Sequence, residues 1–125
     1  MPASPKTFTA KLSRGELRLA VIPMGEDLLL ALSGGDAPHI GTALLSLPRE
    51  SLAGPGRSAT SSVLNVPGHM DDIPARRIAE RFARERGVRV ACVCGIHFDA
   101  ATPELLQEIL DASDTLAQKA LQALD

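Results

Sequence analysis

The stretch "VRVACVCGIHFDAATPELL", Val88–Leu106, decides the fold. Its first ten residues are almost continuously apolar, the pattern of a strand with both faces covered. Thr102 and Pro103 then suit the N-cap and first position of a helix. From there apolar residues recur at helical spacing: Leu106, Ile109, Leu110, Leu116, Ala117, Ala120 and Leu121, with Asp111, Asp114 and Gln118 facing out. Upstream, "DDIPARRIAERFARERG" (Asp71–Gly87) has the same period, carried by Ala75, Ile78, Ala79 and Phe82. Asp71 or Asp72 can cap its start, Pro74 suits a first turn, and Gly87 suits the C-terminal cap. Arg76, Arg77, Arg81 and Arg84 fall on the remaining surface and read as a solvated helix face.

Before Asp71 the period changes. "KTFTAKLSR" (6–14), "ELRLAVIPM" (16–24) and "LLLALSGG" (28–35) are apolar or alternating segments parted by short turns. They predict an antiparallel meander. "HIGTALLSLP" (39–48) predicts a fourth strand closed by Pro48, and "SSVLNVPG" (61–68) a fifth. "ESLAGPGRSATS" (50–61) between them reads as a loop. Strands first, then helix, strand and helix, predict an α+β fold. It is a largely antiparallel β-sheet with two main helices in the C-terminal half packed on one face.

A chain of 125 residues fits one domain, 1–125. At this size the buried core is modest, and an open sheet edge or face calls for a cover, so a homodimer is expected. A net charge of −2 argues against nucleic acid as a partner, and no apolar run is long enough to span a bilayer. The N-terminus has no apolar signal core, and a cytoplasmic location is expected. Cys92 and Cys94, two apart on one strand, read as buried core residues, at a spacing poorly suited to a disulfide. Aromatic residues are 2% of the chain, without Trp or Tyr, so a flat ligand must lie against aliphatic side chains and backbone.

Three constellations can carry chemistry. His97 and Asp99, and His69 and Asp71, are two His-x-Asp pairs at element ends. In extended backbone each pair points to one side, as a first shell for a divalent cation or as a base with its orienting carboxylate. Strand alternation sets His97 on the face opposite Cys92 and Cys94. The second is "GPGRSATSS" (54–62), where Arg57 and the hydroxyls of Ser58, Thr60, Ser61 and Ser62 follow two glycines. It has the makings of a phosphate cradle or of a flexible surface loop, and the local sequence leaves both open. The third is "LSGGDAPHIG" (32–41), where Gly34 and Gly35 permit unusual backbone angles beside Asp36 and His39. No spacing selects a nucleophile and base.

Together, "GGDAPHIGTALLSLPR" (34–49), "GPGRSATSSVLNVPGHMDD" (54–72) and "CVCGIHFDAATPELL" (92–106) resemble the prenylated-flavin chaperone family. That family includes LpdD-like small accessory subunits of gallate-decarboxylase systems, and its fold is similar to that of proteasome-assembly chaperones. The resemblance implies a non-catalytic carrier. It would hold prenylated FMN, or FMN, made by a flavin prenyltransferase and deliver it to a UbiD-type reversible decarboxylase. It also implies a small dimer and a divalent cation, such as Mn or Mg, beside the phosphate. On that reading Gly35, His39, Arg57, Ser58, Thr60, Ser61, His69 and His97 line the cofactor site, and His69, Asp71, His97 and Asp99 are the metal set. Two other readings compete. One is a metal-dependent enzyme acting on a small phosphorylated substrate through His69, His97 and an aspartate. The other is a ligand-free structural accessory subunit of a decarboxylase.

Overall fold

The computed structural model describes residues 4–68 and 71–124. In chain order the elements are β1 (Lys6–Lys11), β2 (Glu16–Met24), β3 (Asp27–Gly35), β4 (Thr42–Glu50), β5 (Arg57–Asn65), α1 (Asp72–Arg86), β6 (Val90–His97) and α2 (Pro103–Ala123). They form the expected α+β fold, one six-stranded sheet with both helices on one face. The strand order is β1-β2-β3-β6-β4-β5. The meander holds for β1-β2-β3, and β4-β5 is a hairpin, but β6 is inserted between β3 and β4. It runs parallel to β3, from Leu28↔Val90 to Gly35↔His97, and antiparallel to β4, from Thr42↔Cys94 to Ser46↔Val90. A parallel neighbour needs a crossover, here the β4-β5-α1 segment.

The helices are parallel to each other and opposed to β6. Arg77 makes a bidentate pair with Asp114 at 2.8 and 2.9 Å, and Arg86 donates to the Leu121 carbonyl, so residue numbers rise together along both helices. Both helix N-termini therefore lie at the end of the sheet where β6 finishes. Thr102 caps α2, its side chain accepting from Leu105 N–H, and Gly87 ends α1 in the left-handed conformation at φ 66°. The arginine face of α1 is ion-paired: Arg76 with Glu80, Arg77 with Asp114, Arg81 with Glu85.

The core lies between the sheet and the helices. Leu17, Leu19, Val21, Leu30, Leu32, Val90, Cys92 and Cys94 meet Ile78, Phe82, Leu116 and Ala120. In α2 the buried residue of the first turn is Leu105; Leu106, expected in the apolar stripe, is exposed. The expected cover on both faces of β6 is also corrected. Val90, Cys92 and Cys94 are buried under the helices, whereas Ala91 and Val93 on the other face are only half-buried. The strand stays apolar because it has neighbours on both edges and an aliphatic surface on the helix-free face.

The β4-β5 hairpin is longer than the sequence suggests. Pro48 does not close β4, because it lies past Ser46, the last residue paired with β6, where one edge of the strand needs no ladder donor. Pairing continues to Glu50↔Arg57, so Arg57, Ser58, Thr60 and Ser61 lie on β5 and not in a loop.

Cys92 and Cys94 are free thiols. Burial pushes the Cys92 thiol up to about 12 and the Cys94 thiol higher still, so both stay protonated and unreactive at neutral pH. Native protein should therefore resist a thiol reagent at mildly alkaline pH and release two reactive thiols in denaturant. Rapid native labelling would contradict the packing of β6 against the helices.

Candidate functional site

Residues 36–41 join β3 to β4 by crossing the end of β6. The crossing starts with Asp36 N–H donating to the His97 carbonyl at 2.7 Å and ends with Gly41 N–H donating to the Cys94 carbonyl at 2.9 Å. Between them the His39 carbonyl lies against Gly95, so close that a Cβ there would sit 1.6 Å from its oxygen. A Cβ on Gly41 would sit 1.9 Å from Asp71 Oδ2. The chain thus passes over the strand only because two positions carry no side chain. Gly35 has φ 85°, and its missing side chain leaves room for the His97 carbonyl.

The crossing brings four of the sequence-predicted side chains to one end of the sheet. His39 Nε2 is 3.1 Å from Asp71 Oδ2, and its Nδ1 is 3.0 Å from the Ala37 carbonyl. Both ring nitrogens thus lie within hydrogen-bond distance of an oxygen. Asp71 is buried, and its other oxygen accepts from Ile96 N–H at 2.9 Å. This carboxylate stands at the N-cap of α1 without capping it; it bonds to β6 and the crossing instead. The His39 pair is therefore with Asp71, across 32 residues, and not within a His-x-Asp motif. His97 does pair with Asp99, Nε2 to Oδ1 at 2.9 Å, and its ring lies 6.5 Å from that of His39 at an edge-on angle.

A third carboxylate braces the same end. Asp36 accepts from Asp99 N–H and from Arg14, which also donates to the Asp99 carbonyl and lies over the Phe98 ring. The Asp99 amide and then the Arg14 guanidinium hold the Asp36 carboxyl below the usual carboxylate range. The negative charges here are thus already engaged: Asp36 by Arg14, Asp71 by His39, Asp99 by His97.

Beside this cluster, under the first turns of both helices, lies a cavity of about 370 Å³. Ile73 and Pro74 of α1, Ile96 of β6, and Leu106, Ile109 and Leu110 of α2 line it, with a polar corner of Gly68, Asp71 and His97. Its size is that of a small-molecule pocket, and an apolar wall with a few convergent polar groups is the usual character of one. Sequence reasoning missed the wall. Leu106, Ile109 and Leu110 read as core stripe; Ile109 is buried in the core as expected, and the packing of α2 against α1, β1 and β2 leaves all three beside an opening.

The remaining expected site residues are placed elsewhere. Arg57 lies at the far end of the sheet, donating to the Glu85 carbonyl in the last turn of α1, with its guanidinium against Gly87. Ser61 bonds to Ser46 and Glu80 on the helix side, whereas Thr60 accepts from Arg49. The structure therefore does not unite Arg57, Ser58, Thr60 and Ser61 with the histidine cluster, since they lie on the first half of β5, which begins at the opposite end of the sheet. His69 lies outside the described residues. Among the described residues no three His, Cys, Asp or Glu side chains converge to hold a metal; the expected set of His69, Asp71, His97 and Asp99 includes one residue outside them. Asp71 and Asp99 serve as hydrogen-bond partners of the two rings.

Comparison with known proteins adds to this geometry. A family model described as the prenylated flavin chaperone LpdD-like domain matches residues 11–125. A solved structure of a chaperone complex for yeast 20S proteasome assembly matches with a TM-score of 0.55 at 13% identity. The match covers 98% of this chain and 96% of that one, a likeness of fold. No curated protein matches the chain.

The crossing gives a direct test. Gly95→Ala pushes a methyl group into the His39 carbonyl and should lower stability by about 1–3 kcal/mol, the usual cost of overpacking. A urea melt of the variant beside wild type measures this; an unchanged midpoint would show that the loop does not pass over Gly95.

Proposed function

The chain belongs to the prenylated flavin chaperone LpdD-like family, and on that premise we propose that it carries prenylated FMN in the cavity beside His97. It would take the cofactor from a flavin prenyltransferase and deliver it, chemically unchanged, to a UbiD-type decarboxylase. The observation that carries this reading is the amphipathic cavity itself. Its aliphatic wall suits the modified ring system, and its polar corner offers the His97 ring and the Gly68 backbone to the ribityl phosphate, beside an Asp71 carboxylate already hydrogen-bonded to Ile96 and His39. Two helix N-termini point their positive dipole ends to this side of the sheet, which favours an anion. His97 is half-exposed and held through Nε2 by Asp99, leaving Nδ1 to face a ligand.

The protein's own part is to bind, orient and shield. Asp71 fixes three segments at once, through Ile96 N–H, the His39 ring and the start of α1, so the polar corner is rigid before a ligand arrives. Arg14 and Asp36 fix the turn after β6 in the same way.

The carrier is further proposed to be a homodimer joined through the helix-free face of the sheet. One row across that face runs Ala20, Ala31, Val93, Ala43 and Leu64, and the next carries Leu29, Ala91 and Leu45. Leu45, Leu47 and Leu64 are 44%, 43% and 78% exposed, more apolar surface than a small single chain keeps in water at little cost.

Two measurements test these statements. His97→Ala should weaken binding of the phosphorylated flavin about tenfold or more and leave riboflavin binding nearly unchanged, as expected for loss of a hydrogen bond to a charged group. The thermal midpoint should hardly move, because the side chain is half-exposed. With no Trp or Tyr in the chain, flavin absorbance is read against almost no protein background; wild-type protein that takes up neither flavin would end the carrier reading. For the dimer, sedimentation velocity should show wild type at twice the chain mass and Leu45→Lys at the chain mass. A monomeric wild type at high micromolar concentration would exclude it.

A further inference from the structure

We infer that the aliphatic wall contributed by α2, chiefly Leu106 and Leu110, determines specificity, selecting a flavin with a saturated, branched ring addition over the flat unmodified flavin. The inference rests on the flavin-carrier reading above and concerns what that site distinguishes. Flavin sites commonly gain from Phe, Tyr or Trp faces laid on the planar ring, and among the described residues no such side chain lines this cavity. Of the three phenylalanines, Phe82 is fully buried in the core, Phe98 is buried beneath Arg14, and Phe8 packs on β1 against the core edge. None of them lines the cavity, whose wall is Ile73, Pro74, Ile96, Leu106, Ile109 and Leu110.

Such a wall rewards apolar area and volume and not planarity. Every added saturated carbon that leaves water against Leu or Ile is favourable, so the branched addition carries most of the discrimination. Leu106 makes the point locally. It occupies the first turn of α2 directly after the exposed Glu104 and the buried Leu105, and stands 54% exposed at the cavity rim. Leu105 takes the inward site, so the apolar surface of Leu106 is presented at the cavity rim. Leu110, one turn on, is half-buried and continues the same surface.

Titration of the full-length protein with prenylated FMN and with FMN, read by flavin absorbance, tests this. Wild type should bind prenylated FMN at least about tenfold more tightly than FMN, the scale set by burying two or more extra methylene equivalents. In Leu106→Gln and Leu110→Gln the gap should shrink toward unity, because prenylated FMN weakens while FMN changes by less than about twofold. Leu106 is exposed, so its variant should melt with wild type and keeps the test independent of folding. If wild type binds both flavins equally, or if the variants weaken both by the same factor, the wall is not the discriminating element and the inference fails while the carrier reading stands. If wild type binds neither flavin, both fail.

Discussion

The close passage of residues 36–41 over β6 at Gly95 is the contact on which the rest depends. Inserting β6 between β3 and β4 parts two strands that are consecutive in sequence, so the chain must bridge a strand's width at the end of the sheet. It does so in contact with the strand, tied at His97 and Cys94 carbonyls on either side. Any side chain at Gly95 would lift the bridge. His39 would then leave Asp71, Asp71 would lose one of its bonded partners, and the start of α1 would no longer be fixed to β6. A fold-level choice, strand insertion, thus becomes a local steric demand for glycine. The same demand places an imidazole beside a buried carboxylate.

That placement also accounts for the electrostatics of the site. Three carboxylates gathered at one end of the sheet would repel a phosphate if they stood free. Here each has a specific counterpart: a guanidinium and an amide for Asp36, an imidazole and an amide for Asp71, an imidazole for Asp99. Asp71 in particular turns away from its own helix, so the first amides of α1 are not consumed by its side chain. Hydrogen bonding to the charged form of a carboxylate both stabilises it and spends its field locally. The two helix dipoles then set the sign of what remains. Pairing within the chain thus eases the tension between these aspartates and the anionic cargo proposed for the site.

Much of this was legible in the sequence. Strand-then-helix order, the caps at Thr102 and Gly87, and the Phe82 face of α1 all follow from local signals. What was not legible is what depends on pairing at long range. No local signal says that β6 enters between β3 and β4, because an apolar strand fits an edge pair as well as a central one. Arg57 shows the consequence: "GPGRS" has the composition of an anion loop, but the hairpin runs on past Pro48 and carries the guanidinium to the far end, where it caps α1. The pairing of His39 with Asp71 was hidden for the same reason. Sequence adjacency suggested His69, which lies outside the described residues, as a partner of Asp71, and gave no sign that the crossing brings His39 to the same carboxylate. Leu106 was misread by one residue of helical phase, which is all that separates a core leucine from a rim leucine.

A carrier has to bind tightly enough to protect its cargo and loosely enough to surrender it, and the cavity wall bears on both. Aromatic stacking and multiple charge-assisted bonds raise affinity by slowing release, since among related complexes most differences in affinity lie in the dissociation rate. An aliphatic wall with an imidazole at its corner forgoes much of that directional energy. It keeps the non-directional part, which scales with area and weakens steadily as a ligand slides out. The cavity sits at the mouth of the fold, with Leu106 and Ile73 half-exposed on its rim, so a bound ring would remain partly accessible. Rigid polar corner and soft apolar wall thus divide the task. On the proposed reading the corner, braced by Asp71 and Asp36, would fix where the phosphate end sits, and the wall would hold the ring by contact area that a receiving site of greater complementarity could outcompete.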